Sequence, residues 1–140
     1  MKKALTLLAL LLISMGAMAQ LNVTSARENT IERLTQELSF DTSDSTYYIA
    51  LTTSNQFDDP MLFKLGKGKE SALQTIDDLL AFMEQGEKGD VITVENGFGK
   101  EYRIYVYDHL NLDMASDYHV GTRIMQKPRM KRWRRLISEH

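Results

Sequence analysis

DVITVENGFGKEYRIYVYDH, residues 90–109, holds two alternating runs that meet at Asn96-Gly97. In the second run Tyr102, Ile104 and Val106 share one face, while Tyr105, Tyr107 and His109 share the other, beside Arg103. Alternation with period two is the signature of a half-buried strand. An Asn-Gly start suits the positive φ angles of a hairpin turn. Residues 90–96 and 100–109 are therefore expected to form an antiparallel hairpin.

The flanking sequence extends this pattern. TYYIALTT, 46–53, alternates strictly: Tyr47, Ile49, Leu51 and Thr53 on one face, Thr46, Tyr48, Ala50 and Thr52 on the other. SNQFDDP is a turn, and MLFKLG, 61–66, is the return strand of this earlier hairpin. Between the hairpins, residues 70–85 place Ala72, Ile76, Leu79, Leu80 and Met83 on one helical stripe, with Gly86 just past the end. A first helix is expected over 25–38, from the Ser25–Glu28 capping-box spacing and the stripe Ile31, Leu34, Leu38. SFDTSDS, 39–45, reads as a polar loop, and YHVGTRIMQ, 118–126, as a fifth strand. Pro128 opens a last helix to about Ser138, since Pro suits a first helical position.

The expected order is α-β-β-α-β-β-β-α. Hairpins with segregated helices give an α+β fold, an antiparallel sheet of about four to five strands with helices packed on it. A strand pair followed by a helix occurs twice, an architectural echo without sequence identity.

The chain opens MKKALTLLALLLISMGAMAQ. Lys2 and Lys3, the apolar run Ala4–Ile13 and Ala17-Met18-Ala19 are the three parts of a secretory signal peptide. The run is shorter than the ~20 residues that span a bilayer. Cleavage is expected between Ala19 and Gln20, leaving 20–140 as one α+β domain, periplasmic or extracellular, by a bacterial route of export. No Cys follows the apolar run to take a lipid anchor, and no disulfide is available, so packing alone must hold the domain. No linker-like segment marks a second domain.

Charge is uneven. Residues 20–120 hold 8 basic and 18 acidic residues, a net −10; residues 121–140 hold 7 basic and 1 acidic, a net +6. The simplest consequence is that the basic tail lies on its own acidic body. KPRMKRWRR, 127–135, concentrates that charge. On a helical wheel Met130, Trp133, Leu136 and Ile137 form one arc, and Lys131, Arg132, Arg134 and Arg135 the other. Such a helix normally docks its apolar arc and wets the charged one. The same composition also fits an anionic membrane surface or an anionic polymer, held by Arg129, Lys131, Arg132, Arg134, Arg135 and Trp133. Export and the acidic body argue against sequence-specific reading of nucleic acid.

Three other stretches carry chemistry-bearing residues. LGKGKES, 65–71, has the strand–Gly turn–helix context of a phosphate loop, but Glu70 stands where that motif needs Ser or Thr. A plain strand-to-helix turn accounts for it better. DHLNLDMASDYH, 108–119, is the densest set of metal-ligand types, with His109, Asp113, Asp117 and His119 as candidates. It matches no metal motif, and Asp, Asn and Ser are equally what a long inter-strand loop needs to cap its own backbone. Tyr105 and Tyr107 form an aromatic row that stacks sugars or bases in some sheets and lies under a helix in most.

There is no Cys, no G-x-S-x-G and no S-x-x-K, so none of these catalytic motifs is present; a Ser-His-Asp set assembled in space from distant residues stays open, and no cofactor is implied. The expected function is a small exported non-enzymatic binding or accessory domain for an unknown protein or surface partner. The alternatives are an anionic-surface binder through helix 128–138 and a small hydrolase or metal site at 108–119.

Overall fold

The structure, a computed structural model, describes residues 30–53, 55, 57, 59–96 and 98–140. Its contacts divide the chain into two units, Met1–Glu32 and Arg33–His140. Only residues 30–32 of the first unit are described. The leader and the Ser25–Glu28 capping box lie outside the described residues.

The fold is α+β, with two antiparallel four-stranded sheets and two helices among the described residues. The first sheet comprises β1 (Ile31–Arg33), β2 (Leu38–Asp41), β3 (Thr46–Leu51) and β4 (Met61–Lys67), in that order. Helix α1 (Lys69–Gln85) follows. The second sheet comprises β5 (Val91–Glu95), β6 (Glu101–Asp108), β7 (Asn111–Ala115) and β8 (Val120–Gln126), also in sequence order, and helix α2 (Lys127–Glu139) follows. The echo is thus a full four-strand meander and helix, repeated. Eight strands in two sheets replace the expected four to five in one.

The expected helix over 25–38 is corrected across its described part. Residues 31–33 are strand, and Leu38 opens β2 paired to Ile49. Thr35 turns the chain between them: its Oγ1 accepts from the N–H groups of Glu37 (3.2 Å) and Leu38 (2.9 Å). The Ile31–Leu34–Leu38 spacing suits a helix, but Leu38 is fully buried in a sheet instead. Burial against a neighbouring strand outweighs a helical spacing of three residues. The polar loop also begins later than expected, because Ser39–Asp41 continue β2 and Phe40 pairs with Tyr47.

A second correction concerns 108–119, which is not one long loop. Asn111–Ala115 is β7, with Leu112 and Met114 fully buried between outward Asn111 and Asp113. The alternation was in the sequence, obscured by polar neighbours.

One core unites the sheets and helices. Tyr47, Ile49, Leu51, Phe63 and Leu65 come from the first sheet, and Tyr102, Ile104, Val106, Leu112 and Met114 from the second. Ala72, Ile76, Leu79 and Met83 enter from α1, and Met130, Trp133 and Ile137 from α2. Every Met beyond residue 29 (Met61, Met83, Met114, Met125, Met130) is buried. Flexible thioethers adapt to irregular space in a core that has no disulfide.

The helices run antiparallel. Lys127 pairs with Glu84 at 2.6 Å, Arg134 with Asp77 at 2.7 Å, and Lys69 Nζ donates to the Ser138 carbonyl at 3.3 Å. The final residue is also held: His140 Nδ1 lies 2.7 Å from Tyr47 Oη, and its ring packs edge-on to Phe40.

Candidate functional site

The basic stretch forms α2, and its apolar arc is inward. Trp133 is 1% exposed and its Nε1–H donates to Glu37 Oε2 at 3.4 Å. Arg129 Nε lies 3.7 Å from Glu37 Oε1, and its Nη1 donates to the Ile124 carbonyl at 3.3 Å. Arg134 makes a two-pronged contact to Asp77, through Nε at 2.7 Å and Nη2 at 3.2 Å. That guanidinium holds the Asp77 carboxyl below its usual range, and hydrogen bonding to Lys127 does the same for Glu84. The tail therefore lies on its own acidic body. Lys131, Arg132 and Arg135 are exposed and have no ion pair among the described residues. No helix among the described residues is long and apolar enough to cross a membrane.

The metal candidates are not gathered. His109 lies in the β6–β7 turn, whereas Asp117 and His119 lie in the β7–β8 turn, at opposite ends of β7. Asp113 accepts from the backbone N–H of Arg123. Asp108 Oδ1 accepts from Leu110 N–H (2.8 Å) and Asn111 Nδ2 (2.9 Å), and these bonds, the first above all, lower its pKa. Ser116 Oγ accepts from His119 N–H at 3.2 Å. These polar side chains cap backbone turns. Among the described residues no three His, Asp or Glu side chains are grouped to hold a metal.

Tyr105 and Tyr107 lie half-buried on the face of β6 opposite the core. Tyr105 sits in register between Val91 and Asp113. The Tyr107 ring has Lys88 Nζ 5.0 Å and Arg123 Cζ 5.2 Å from its centroid. Arg123 occupies a bulge in β8 with φ 49°, held there by Asp113. The 65–71 stretch is a strand-to-helix turn: Gly68 (φ 84°) precedes α1, and no side chain caps the helix.

A cleft of about 500 Å³ opens between the two sheets, over α1. Phe63 and Leu65 of β4, Leu79 of α1, and Ile92 and Val94 of β5 form its apolar walls. Lys64, Thr75, Asp78 and Glu95 supply polar groups. One end is tied shut, because the Leu62 carbonyl accepts from both Asn96 Nδ2 and Tyr102 Oη, each at 2.9 Å. Asn96 is 3% exposed, and burial pushes the Tyr102 phenol up. The volume falls in the range of ligand-holding pockets, roughly 300–1,000 Å³.

None of the cleft residues stands out in the sequence as a ligand-binding candidate, although Leu65 and Gly66 open the 65–71 stretch and Asn96 begins a hairpin turn. Each belongs to an ordinary strand or helix pattern. The one local signal was that two strands, 61–66 and 90–96, flank the same helix. Comparison of the chain with protein-family models, with curated proteins and with solved structures finds no match in any of the three.

Proposed function

We propose that this protein is a non-enzymatic binding domain, working outside the cytoplasm, that holds part of a protein partner in the cleft between its sheets. The carrying observation is the cleft itself: an apolar floor of Phe63, Leu65, Leu79, Ile92 and Val94 beside a few polar groups. Apolar walls with sparse polar handles are what a binding pocket uses for affinity and orientation. A photoreactive side chain placed at Thr75 tests this in the native host. One discrete adduct, lost when Val94→Arg fills the cleft and absent when the probe stands at Arg132, is the expected result. Equal adducts from Thr75 and Arg132 would sink the reading.

A second reading is favoured by three exposed cations that make no close ion pair among the described residues, of which Lys131 lies near enough to Glu84 to help lower its carboxyl. Lys131, Arg132 and Arg135 form an exposed ridge that fits an anionic polymer or membrane surface. Trp133 belongs to the core in this arrangement, so attachment would be electrostatic and strongly salt-dependent. The discriminating variant changes Lys131, Arg132 and Arg135 to Glu and leaves Arg129 and Arg134 with their partners. Binding to anionic vesicles or a sulfated glycan that falls with salt and disappears in this variant supports the ridge. Binding unchanged by the variant removes it.

A further inference from the structure

We infer that the cleft takes its partner as an added β-strand: an extended, basic peptide segment lying between β4 and β5 and pairing with their open edges. This rests on the cleft being the binding surface, and adds the mode and chemistry of the ligand.

The cleft is bounded by two strand edges. β4 ends the first sheet and β5 begins the second, and no ladder joins them among the described residues. The phase of each ladder shows which backbone groups are free for pairing. Val106 N–H donates to the Asp90 carbonyl and Asn96 N–H to the Lys100 carbonyl, so even-numbered residues of the 90–96 run bond toward β6. In an antiparallel pair the intervening residues aim their N–H and C=O the other way. Val91, Thr93 and Glu95 therefore present backbone donors and acceptors on the open edge of β5. On β4 the Leu62 carbonyl points away from β3, because Asn96 and Tyr102 reach it. Lys64, two residues on, presents its groups on the same side.

The tie at Leu62 closes one end and gives an entering strand a fixed stop. Beyond it, β5 is five residues long, ~16 Å at about 3.3 Å per residue. A segment of that length has its alternate side chains directed at Phe63, Leu79, Ile92 and Val94, so those positions are apolar. Asp78 and Glu95 face a single Lys64 around the cleft, and residues 20–120 carry a net −10. The intervening positions therefore favour Lys or Arg. Exposed edges with charged residues are also how proteins discourage indiscriminate pairing. Lys64 and Glu95 thus exclude most strands and admit one with matching charge.

The test uses the full chain and a phage-displayed library of random ten-residue peptides. Selection on the wild type, with counter-selection on Val94→Arg, is expected to enrich sequences that alternate apolar residues with Lys or Arg. The best peptide is then synthesised with single N-methyl groups along its backbone. Methylation of every second amide is expected to weaken binding at least tenfold, and methylation of the amides between them little. Thr93→Pro removes one outward donor from β5 without touching the β5–β6 ladder, and is expected to weaken binding similarly, with Thr93→Ala neutral. Circular dichroism and Trp133 fluorescence establish that each variant is folded. If peptides depend on Val94 but methylation shows no period of two, the cleft binds in another mode and strand addition is overturned alone. If no peptide depends on Val94, both the added strand and the cleft reading fall.

Discussion

Gly66 shows how one residue holds the first sheet to its helix. A Cβ at this position would collide with Ser71 Oγ and come within 3.0 Å of the Ala72 backbone nitrogen. Gly66→Ala is therefore expected to cost about 1–3 kcal/mol, as overpacking does, measured by denaturant midpoint. Adding Ser71→Ala should restore only part of that, because the backbone nitrogen stays. The pair Asn96 and Tyr102 is a second residue-scale device. Either alone still satisfies the Leu62 carbonyl, so Asn96→Ala or Tyr102→Phe should each cost about 1 kcal/mol. Together they remove both bonds from the second sheet to that carbonyl, and a double-mutant cycle should show a loss greater than the sum. Strict additivity would mean that the two bonds act independently and that water replaces them at the carbonyl.

At the scale of elements, α2 reports how charge and burial divide one helix. Its apolar arc was legible from spacing, and Met130, Trp133 and Ile137 are buried as that arc predicts. Which cations pair was not legible, since it depends on α1 lying antiparallel alongside. The Asp77 and Glu84 carboxyls are lowered in the folded chain by Arg134 and Lys127. A lowered carboxyl contributes stability above its unfolded pKa and loses it as pH falls through the folded value. Arg134→Gln should thus lower Tm at pH 7, and the two melting curves should converge below about pH 4. High salt should narrow the gap at neutral pH. A gap that persists at pH 2 would show that the Arg134 stem, not its charge, is what matters. β7 teaches the opposite lesson: its Leu112–Met114 alternation was present but short, and flanking Asp, Asn and Ser outweighed it.

For the whole molecule, the repeated meander and helix share a single core, and Trp133 lies where α2 meets it. Trp133→Ala should cost about 3–5 kcal/mol, read from the denaturant midpoint. Because it is the sole Trp and 1% exposed, native emission should be blue-shifted and move red in one cooperative step. Two separated steps would show the halves unfolding independently. The end of the chain belongs to this scale too: deleting His140 removes its contacts with Tyr47 and Phe40 and should lower Tm, although the residue is exposed.

By itself the sequence determined the class of the fold and most of its elements. Period-two runs at 46–51, 61–67, 91–95 and 101–108 and the helical stripe at 72–83 are local patterns, and local sterics and burial act on them wherever the chain goes. It also determined that the basic tail would seek the acidic body, because net charge is additive along a chain. Tertiary structure alone decided the partition into two sheets, the strand over 31–33, the ion-pair partners of α2 and the cleft. Each of these depends on which distant surfaces meet. Leu38 is a strand residue because Ile49 lies opposite, and β4 and β5 frame a cleft because no ladder joins their edges among the described residues.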